Sequence, residues 1–323
     1  MYCLRLFFDI MIVYTEFSTL EDTLGIPIKT LFAVSNRLSS HYRVAYLPKR
    51  DGGMRKLYIP DALLKRIQRA IVKNLLVYEP ISPYARAYRY GASVQDNARP
   101  HIGKNKILKL DIKHFFDSIR YSAVKNACFP STIFSEPIRI LLAMLCYFGE
   151  SLPQGAPSSP TVTNIILRDF DREVGDFCAA RKIAYTRYCD DMTFSGDFDE
   201  KPVIEFVRRV LFCYGFLLND RKTAVVSASR RQTVTGIVVN EKLNVSADYK
   251  RKLRQEIYYC KRYGVSEHLN RKECPLDEEA YLRSLLGKIA FVLQTTPSDT
   301  AFLQYRKEVT ALLCGAREKI ISQ

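Results

Sequence analysis

Two adjacent aspartates, Asp190 and Asp191, sit between runs rich in tyrosine, threonine and phenylalanine over residues 184–195. Those flanks have the composition of strands. Inside a strand, neighbouring side chains point to opposite faces, so two successive carboxylates share a face poorly. At a hairpin turn one can project into a cleft while the other lies close by. A bare Asp-Asp pair more often marks a solvated turn, and what gives this one another meaning lies upstream. Over residues 107–117 an apolar strand ends in Asp111 and runs into a short aromatic turn. Carboxylates at the ends of two separate strands are what a two-metal site needs. There, paired divalent ions about 4 Å apart activate an attacking hydroxyl and steady a leaving phosphate. Mg²⁺ prefers oxygen ligands and keeps several waters, so two or three carboxylates plus substrate phosphates suffice.

Leu110-Asp111 through Phe116, then Gln154-Gly155, then Tyr188-Cys189-Asp190-Asp191 resemble palm motifs A, B and C of reverse transcriptases in order and spacing. The tetrad Tyr-x-Asp-Asp is characteristic of that group. The resemblance implies that Asp111, Asp190 and Asp191 are catalytic and ligate two Mg²⁺ ions, with the Ile112 backbone carbonyl assisting. It implies that Phe116 is an aromatic steric gate that excludes a ribose 2′-hydroxyl; the plainer reading makes Phe115 and Phe116 core aromatics. Gln154 and Gly155 would brace the nucleotide, glycine permitting close backbone approach. Asp117 reads as a turn or cap residue.

Two more stretches carry a narrower resemblance. Asn-Ala-x-x-His from Asn97 to His101, ahead of motif A, and Val234-Thr235-Gly236 resemble signatures of retron reverse transcriptases. Without that likeness, a buried and hydrogen-bonded Asn and His would be the default. With it, Asn97, His101, Val234, Thr235 and Gly236 are expected to touch a structured RNA, through shape and loops.

These residues must be positioned by the rest of the chain. Asp51-Gly52-Gly53 between two short strands signals a β-hairpin with Lys49 on one arm and Arg55 on the other. Lysine commonly blunts a sheet edge, but the pattern also resembles a fingers hairpin whose two cations hold the incoming dNTP triphosphate. Residues 61–78 read as a basic amphipathic helix, with Leu64, Ile67, Ile71 and Leu75 on one side. Residues 1–40 read as helical, with Pro27 near a helix start. A long helix is expected from residue 159 through Asn164, Leu167 and Phe170, an amphipathic helix over 203–214, and a strand over 232–240. Residues 215–223 resemble motif D, where Lys222 would sit near the pyrophosphate as a general acid; a surface lysine is the plain alternative. From Val245 onward the chain is helical and basic, the expected thumb, with Lys250, Arg251 and Arg254 toward a duplex backbone.

Composition bounds the partners. The 49 Lys and Arg against 34 Asp and Glu leave +15, which points to a polyanion. The cations are dispersed among 20 Tyr and 18 Phe, a mixture that suits phosphates and stacked bases better than a membrane surface. Nine scattered cysteines without a Cys-x-x-Cys pair argue for reduced thiols in a cytosol, and against a disulfide framework or zinc site. His41, His101, His114 and His268 are too far apart to suggest a metal cluster. The opening apolar run is interrupted by Arg5 and Asp9, so it reads neither as a leader nor as a membrane span.

The expectation is an α+β right hand. Residues 1–45 form an N-terminal helical segment, 46–240 the interleaved fingers and palm, and 241–323 the thumb. The resemblance implies an RNA-directed DNA polymerase of the bacterial cytoplasm. It would copy a cognate structured noncoding RNA, serving as template and as primer through an internal 2′-hydroxyl, into branched RNA-linked DNA. It also implies antiphage defence beside an effector or toxin protein. No acidic cluster for an attached nuclease is evident. A group II intron-like or diversity-generating polymerase, or a non-catalytic RNA-binding scaffold on the same fold, remain the other readings.

Overall fold

The structure is a computed structural model and describes residues 13–48 and 52–321, with side chains through residue 316. The fold is α+β, and the chain divides into two compact units. One holds residues 1–92, 109–193 and 199–224; the other holds 93–108, 194–198 and 225–323. Two short inner stretches, 93–108 and 194–198, group with the C-terminal helices.

In the first unit, α1 (Phe17–Leu24) and α2 (Ile28–Asn36) begin the described chain. Leu20 and Leu24 are buried on one face of α1, as their i, i+4 spacing requires, and Leu31 is buried in α2. The antiparallel hairpin β1 (Tyr42–Pro48) and β2 (Met54–Pro60) follows, in register from Tyr42↔Pro60 to Pro48↔Met54. Its turn was expected at Asp51-Gly52-Gly53; Asp51 lies outside the described residues, as does Lys49. Asp61 caps α3 (Ala62–Asn74) by accepting from the Leu64 N–H at 2.8 Å. Leu64, Ile67 and Ile71 are fully buried on its inner face. After the two short helices α4 (Val94–Ala98, in the second unit) and, beyond β3 (Lys106–Lys113), α5 (Phe115–Ser118), come α6 (Tyr121–Cys128) and α7 (Glu136–Cys146). The single long helix expected from residue 159 is instead two, α8 (Ser159–Ile166) and α9 (Arg168–Ala179), broken at Leu167 with ψ 6. The β-branched run Val162, Thr163, Ile165 and Ile166 crowds a helix interior. The Thr163 hydroxyl also bonds back to the Pro160 carbonyl, the contact that bends helices.

Strands β4 (Ala184–Tyr188) and β5 (Asp191–Gly196) form the hairpin around the paired aspartates. Helix α10 (Glu200–Cys213) leads to β6 (Leu217–Leu218) and β7 (Ala224–Ser227). The sheet runs β4–β5–β3–β6, with β7 also paired to β3. Central β3 is buried at five of its eight residues, Ile107, Leu108, Leu110, Asp111 and Ile112, consistent with the apolar run around Asp111.

The second unit has two cores. The single strand expected over 232–240 is two, β8 (Thr233–Val234) and β9 (Ile237–Val238), which with β10 (Asn244–Val245) make a small antiparallel sheet. The chain reverses at Thr235 (φ 47) and Gly236 (φ 83), because two successive positive φ values make a tight hairpin turn. Val234, Ile237 and Val239 pack on Ala98 and Ile107. Helices α11 (Ala247–Tyr263), α12 (Val265–Arg271), α13 (Glu278–Thr295) and α14 (Thr300–Ile321) build the other core around Leu253, Ile257, Leu285, Ile289 and Phe302. Among the described residues no helix is long and apolar enough to cross a membrane, and eight cysteines are unpaired.

Candidate active site

The three aspartates come together in the first unit. Asp111 lies in β3 and is nearly buried, at 3% exposure. Cys189 and Asp190 are the two-residue loop of the β4–β5 hairpin, and Asp191 is the first residue of β5. Only the first of the two loop residues has positive φ, Cys189 at 61. That is the pattern of a type II′ turn, which normally takes glycine there. A side chain held in this conformation is strained, and such strain gathers at functional sites. The Ile112 N–H donates to the Asp190 carbonyl at 3.2 Å, so the turn is fastened to β3 beside Asp111. Ile112, whose carbonyl was expected to assist a metal, therefore has its backbone at the turn.

Electrostatics confirm the crowding. Burial first, then the Asp111 charge, pushes the Asp190 carboxyl above the usual range. Asp191 is pushed up to about 6 by the protein packed around it and by the Asp190 and Asp111 charges, although solvent still reaches its side chain. Lys222 stands on Asp111, Nζ to Oδ2 2.8 Å, and that hydrogen bond raises the ammonium's pKa. At 60% exposure Lys222 is also open to solvent. Asn219 holds Asp111 twice. Its side chain donates to Oδ1 at 2.9 Å, and its backbone N–H donates to the Asp111 carbonyl at 2.8 Å. Sequence reasoning missed Asn219, though it lies three residues before Lys222 in the motif D stretch. It also missed Lys109, two residues before Asp111 and so on the same face of β3. Burial lowers the Lys109 pKa, and the Asp191 charge opposes that shift.

Among the described residues no group of three or more His, Cys, Asp or Glu side chains stands ready to hold a metal ion. The donor chemistry nevertheless fits a hard divalent cation. Three mutually repelling carboxylates supply oxygen only, and the lysine on Asp111 occupies the place of positive charge.

The motif B loop meets the hairpin directly. The Tyr58 N–H donates to the Gln154 carbonyl at 2.8 Å, and the Leu152 N–H donates to the Phe116 carbonyl at 3.2 Å. Gly155 has φ 115, and a Cβ there would lie 2.8 Å from the Tyr58 carbonyl oxygen. Glycine is thus required by the close approach of two backbones. Phe115 is buried and packs edge-on against Phe116, which is half-buried. The core role falls to Phe115 and leaves Phe116 partly open. Arg55 is exposed on β2.

In the second unit the two shorter signatures form one structure. Asn97 Nδ2 donates to Thr235 Oγ1 at 3.5 Å, and Thr235 Oγ1 donates to the Val94 carbonyl at 3.2 Å. His101 Nδ1 lies 2.7 Å from Ser195 Oγ. Asn97, His101 and Val234 are all buried. Their side chains brace the loop and the turn. Gly236 is exposed and Thr235 half-buried. On α11, Lys250 is half-buried against Asp299 at 3.0 Å and Arg251 pairs with Asp248, while Arg254 is exposed.

Residues 47–244 match the reverse transcriptase (RNA-dependent DNA polymerase) family. The retron Mx65 reverse transcriptase of Myxococcus xanthus is 32% identical over 83% of this chain and 64% of its own length. The retron Ec86 enzyme of Escherichia coli is 30% identical over 76% of this chain and 78% of its own. The retron Ec83 enzyme of Escherichia coli is 31% identical, covering 72% and 80%. With the motif C turn bonded to β3 beside Asp111, and relatives of this kind along most of its length, the chain belongs to the retron-type reverse transcriptases, RNA-directed DNA polymerases.

Proposed function

We propose that this reverse transcriptase copies a cognate structured noncoding RNA into DNA, primes from a 2′-hydroxyl within that RNA, and leaves a branched RNA-linked product. The observation that supports polymerisation best is the meeting of Asp111, Asp190 and Asp191, with Lys222 on Asp111. Asp111 and Asp190 would hold two Mg²⁺ ions, with Asp191 and the Ile112 carbonyl beside them. When bound, the ions supply a lowered pKa for the attacking hydroxyl and charge neutralisation at the leaving pyrophosphate. Asn219 fixes the Asp111 carboxylate from one side, so its other oxygen is presented in one orientation. Lys222, bonded to Asp111 and open to solvent, would lie near the phosphates and pass its proton to the leaving group. Phe116 would select the sugar, Gln154 and Gly155 would brace the nucleotide, and Arg55, with Lys49, would receive the triphosphate. Thr235, Gly236 and Arg254 offer the surface for RNA, on a base set by Asn97, His101 and Val234. Work in the bacterial cytoplasm beside an effector or toxin protein, in antiphage defence, completes the proposal; the unpaired cysteines agree with a reducing compartment.

The test is to express the chain with its flanking genomic sequence and sequence the nucleic acid that copurifies. Self-primed synthesis predicts DNA that stays joined to one RNA residue after ribonuclease digestion and is released by a 2′,5′-debranching enzyme. DNA free of RNA, from a protein that extends annealed primers with Mg²⁺ and dNTPs, would refute self-priming and leave polymerisation standing.

A further inference from the structure

Beneath the catalytic turn lies an arginine with no contact to solvent. Arg187, in β4, is 0% exposed, and so is its partner Asp171 in α9. The pair is a two-pronged fork, with Nε to Oδ1 2.8 Å and Nη2 to Oδ2 2.6 Å. Tyr185 donates a further hydrogen bond to Asp171 Oδ1 at 2.8 Å. The remaining prong, Nη1, donates to the Cys189 carbonyl at 2.9 Å and lies 3.4 Å from Asn164 Oδ1. Asn164 is itself held by donating to the Ala87 carbonyl at 2.9 Å. The Arg187 backbone is also secured, its N–H bonded to the Tyr84 carbonyl and its carbonyl to the Arg86 N–H, both at 2.8 Å.

A buried ion pair is poor evidence of stabilisation, since well-packed apolar residues of similar volume often do as well or better. What this pair does beyond filling space is reach the catalytic turn. The Cys189 carbonyl belongs to the peptide plane that precedes Asp190, and the Asp190 carbonyl belongs to the plane that follows it. Arg187 fixes the first, and the Ile112 N–H fixes the second at 3.2 Å. The Asp190 Cα is thus held between two anchored planes, in a turn whose Cys189 φ of 61 would otherwise relax. We infer that Arg187 is a positioning residue for DNA synthesis: anchored by Asp171, its guanidinium fixes the peptide plane ahead of Asp190 and so sets where that carboxylate stands against Asp111. Arginine is needed because only a planar fork can satisfy Asp171 with two donors and present a third to the turn. The inference rests on the assignment of Asp190 as a metal-binding residue.

The experiment replaces the pair by an apolar one, Arg187→Met with Asp171→Leu, and compares it with Arg187→Lys and the parent. Melting temperature, affinity for a fixed RNA–DNA duplex, and kcat and KM for dNTP as a function of Mg²⁺ are measured on the same preparations. Positioning predicts that the double variant keeps its melting temperature within a few degrees, its duplex affinity, and its KM within about twofold. Its kcat falls by about 100-fold, the loss expected from a misplacement near 1 Å, and half-maximal activity needs more Mg²⁺. A purely structural role predicts kcat restored together with the melting temperature, and that result would overturn the inference. Arg187→Lys covers the case in which the double variant does not fold. An ammonium keeps the charge pair but cannot supply the third directed donor, so kcat falls tenfold or more at unchanged KM; parental kcat in this variant would equally overturn it. Loss of polymerase activity from the parent itself would instead remove the assignment on which the inference rests.

Discussion

Gly155→Ala perturbs the nucleotide site through backbone alone. The new methyl group would meet the Tyr58 carbonyl oxygen at 2.8 Å, inside the separations real side chains tolerate, and would sit on a backbone with φ 115. Holding alanine in such a conformation costs on the order of 1–3 kcal/mol, and the contact with a backbone oxygen adds to it. The cheaper response is for the loop to retreat from β2. That breaks the 2.8 Å bond from the Tyr58 N–H to the Gln154 carbonyl, at a net cost of about 1 kcal/mol. A loss of that size lowers the melting temperature by roughly 2–4 °C. The same retreat moves Gln154 and loosens the neighbouring Leu152 bond to the Phe116 carbonyl. Both Gln154 and Phe116 would face the nucleotide, so KM for dNTP should rise about tenfold while duplex affinity stays near the parent. Steady-state extension of an annealed primer, with differential scanning fluorimetry on the same sample, reads both quantities. Parental KM with a lowered melting temperature would refute the claim that this contact positions the nucleotide site. Parental values for both would refute the close approach itself.

Phe116→Val should raise ribonucleotide incorporation relative to deoxynucleotide incorporation at least tenfold, since Phe115 already carries the core packing; competition with paired rNTP and dNTP measures it. Asp191 titrates near 6 when folded and near 4 when unfolded, so the folded state binds its proton more tightly. In EDTA this group's contribution should make the protein more stable as pH falls from 7 through 6, levelling off near 4. The comparison is the melting temperature of the parent against Asp191→Asn. The variant should be the more stable at pH 7.5, and the two should converge near pH 4.5. Asn97→Ala with His101→Ala removes buried bonds to Thr235 and Ser195, each loss costing about 1–3 kcal/mol. Its melting temperature should fall, and extension of a generic primer should fall with self-primed synthesis; selective loss of self-priming at a parental melting temperature would show direct RNA contact.

The three candidate aspartates were legible because the chemistry proposed for them is local. A Tyr-x-Asp-Asp tetrad between strand-forming runs, and an aspartate ending an apolar strand, announce themselves by residue type and spacing. The amphipathic helix α3 was legible for the same reason, as 3.6-residue periodicity places Leu64, Ile67 and Ile71 on one face. The break at Leu167 and the turn at Thr235 were not. In both, local hydrogen bonding and backbone sign cut an apolar run that periodicity reads as continuous.

By itself, the sequence determined the polymerase family and the α+β class, and it singled out Asp111, Asp190 and Asp191 as the residues proposed for the reaction. Residues that act through distant partners were decided only by the tertiary structure. Asn219 is 108 positions from Asp111, Gln154 bonds to β2, and Asp171 meets Arg187 across the gap between a helix and a strand. Only the structure supplied the partners of Asn97 and His101, since a polar side chain in a short motif reads alike whether it faces solvent or a partner 138 residues away. Spacing encodes which face of an element a residue occupies. What that face meets is set by packing, which no local pattern carries.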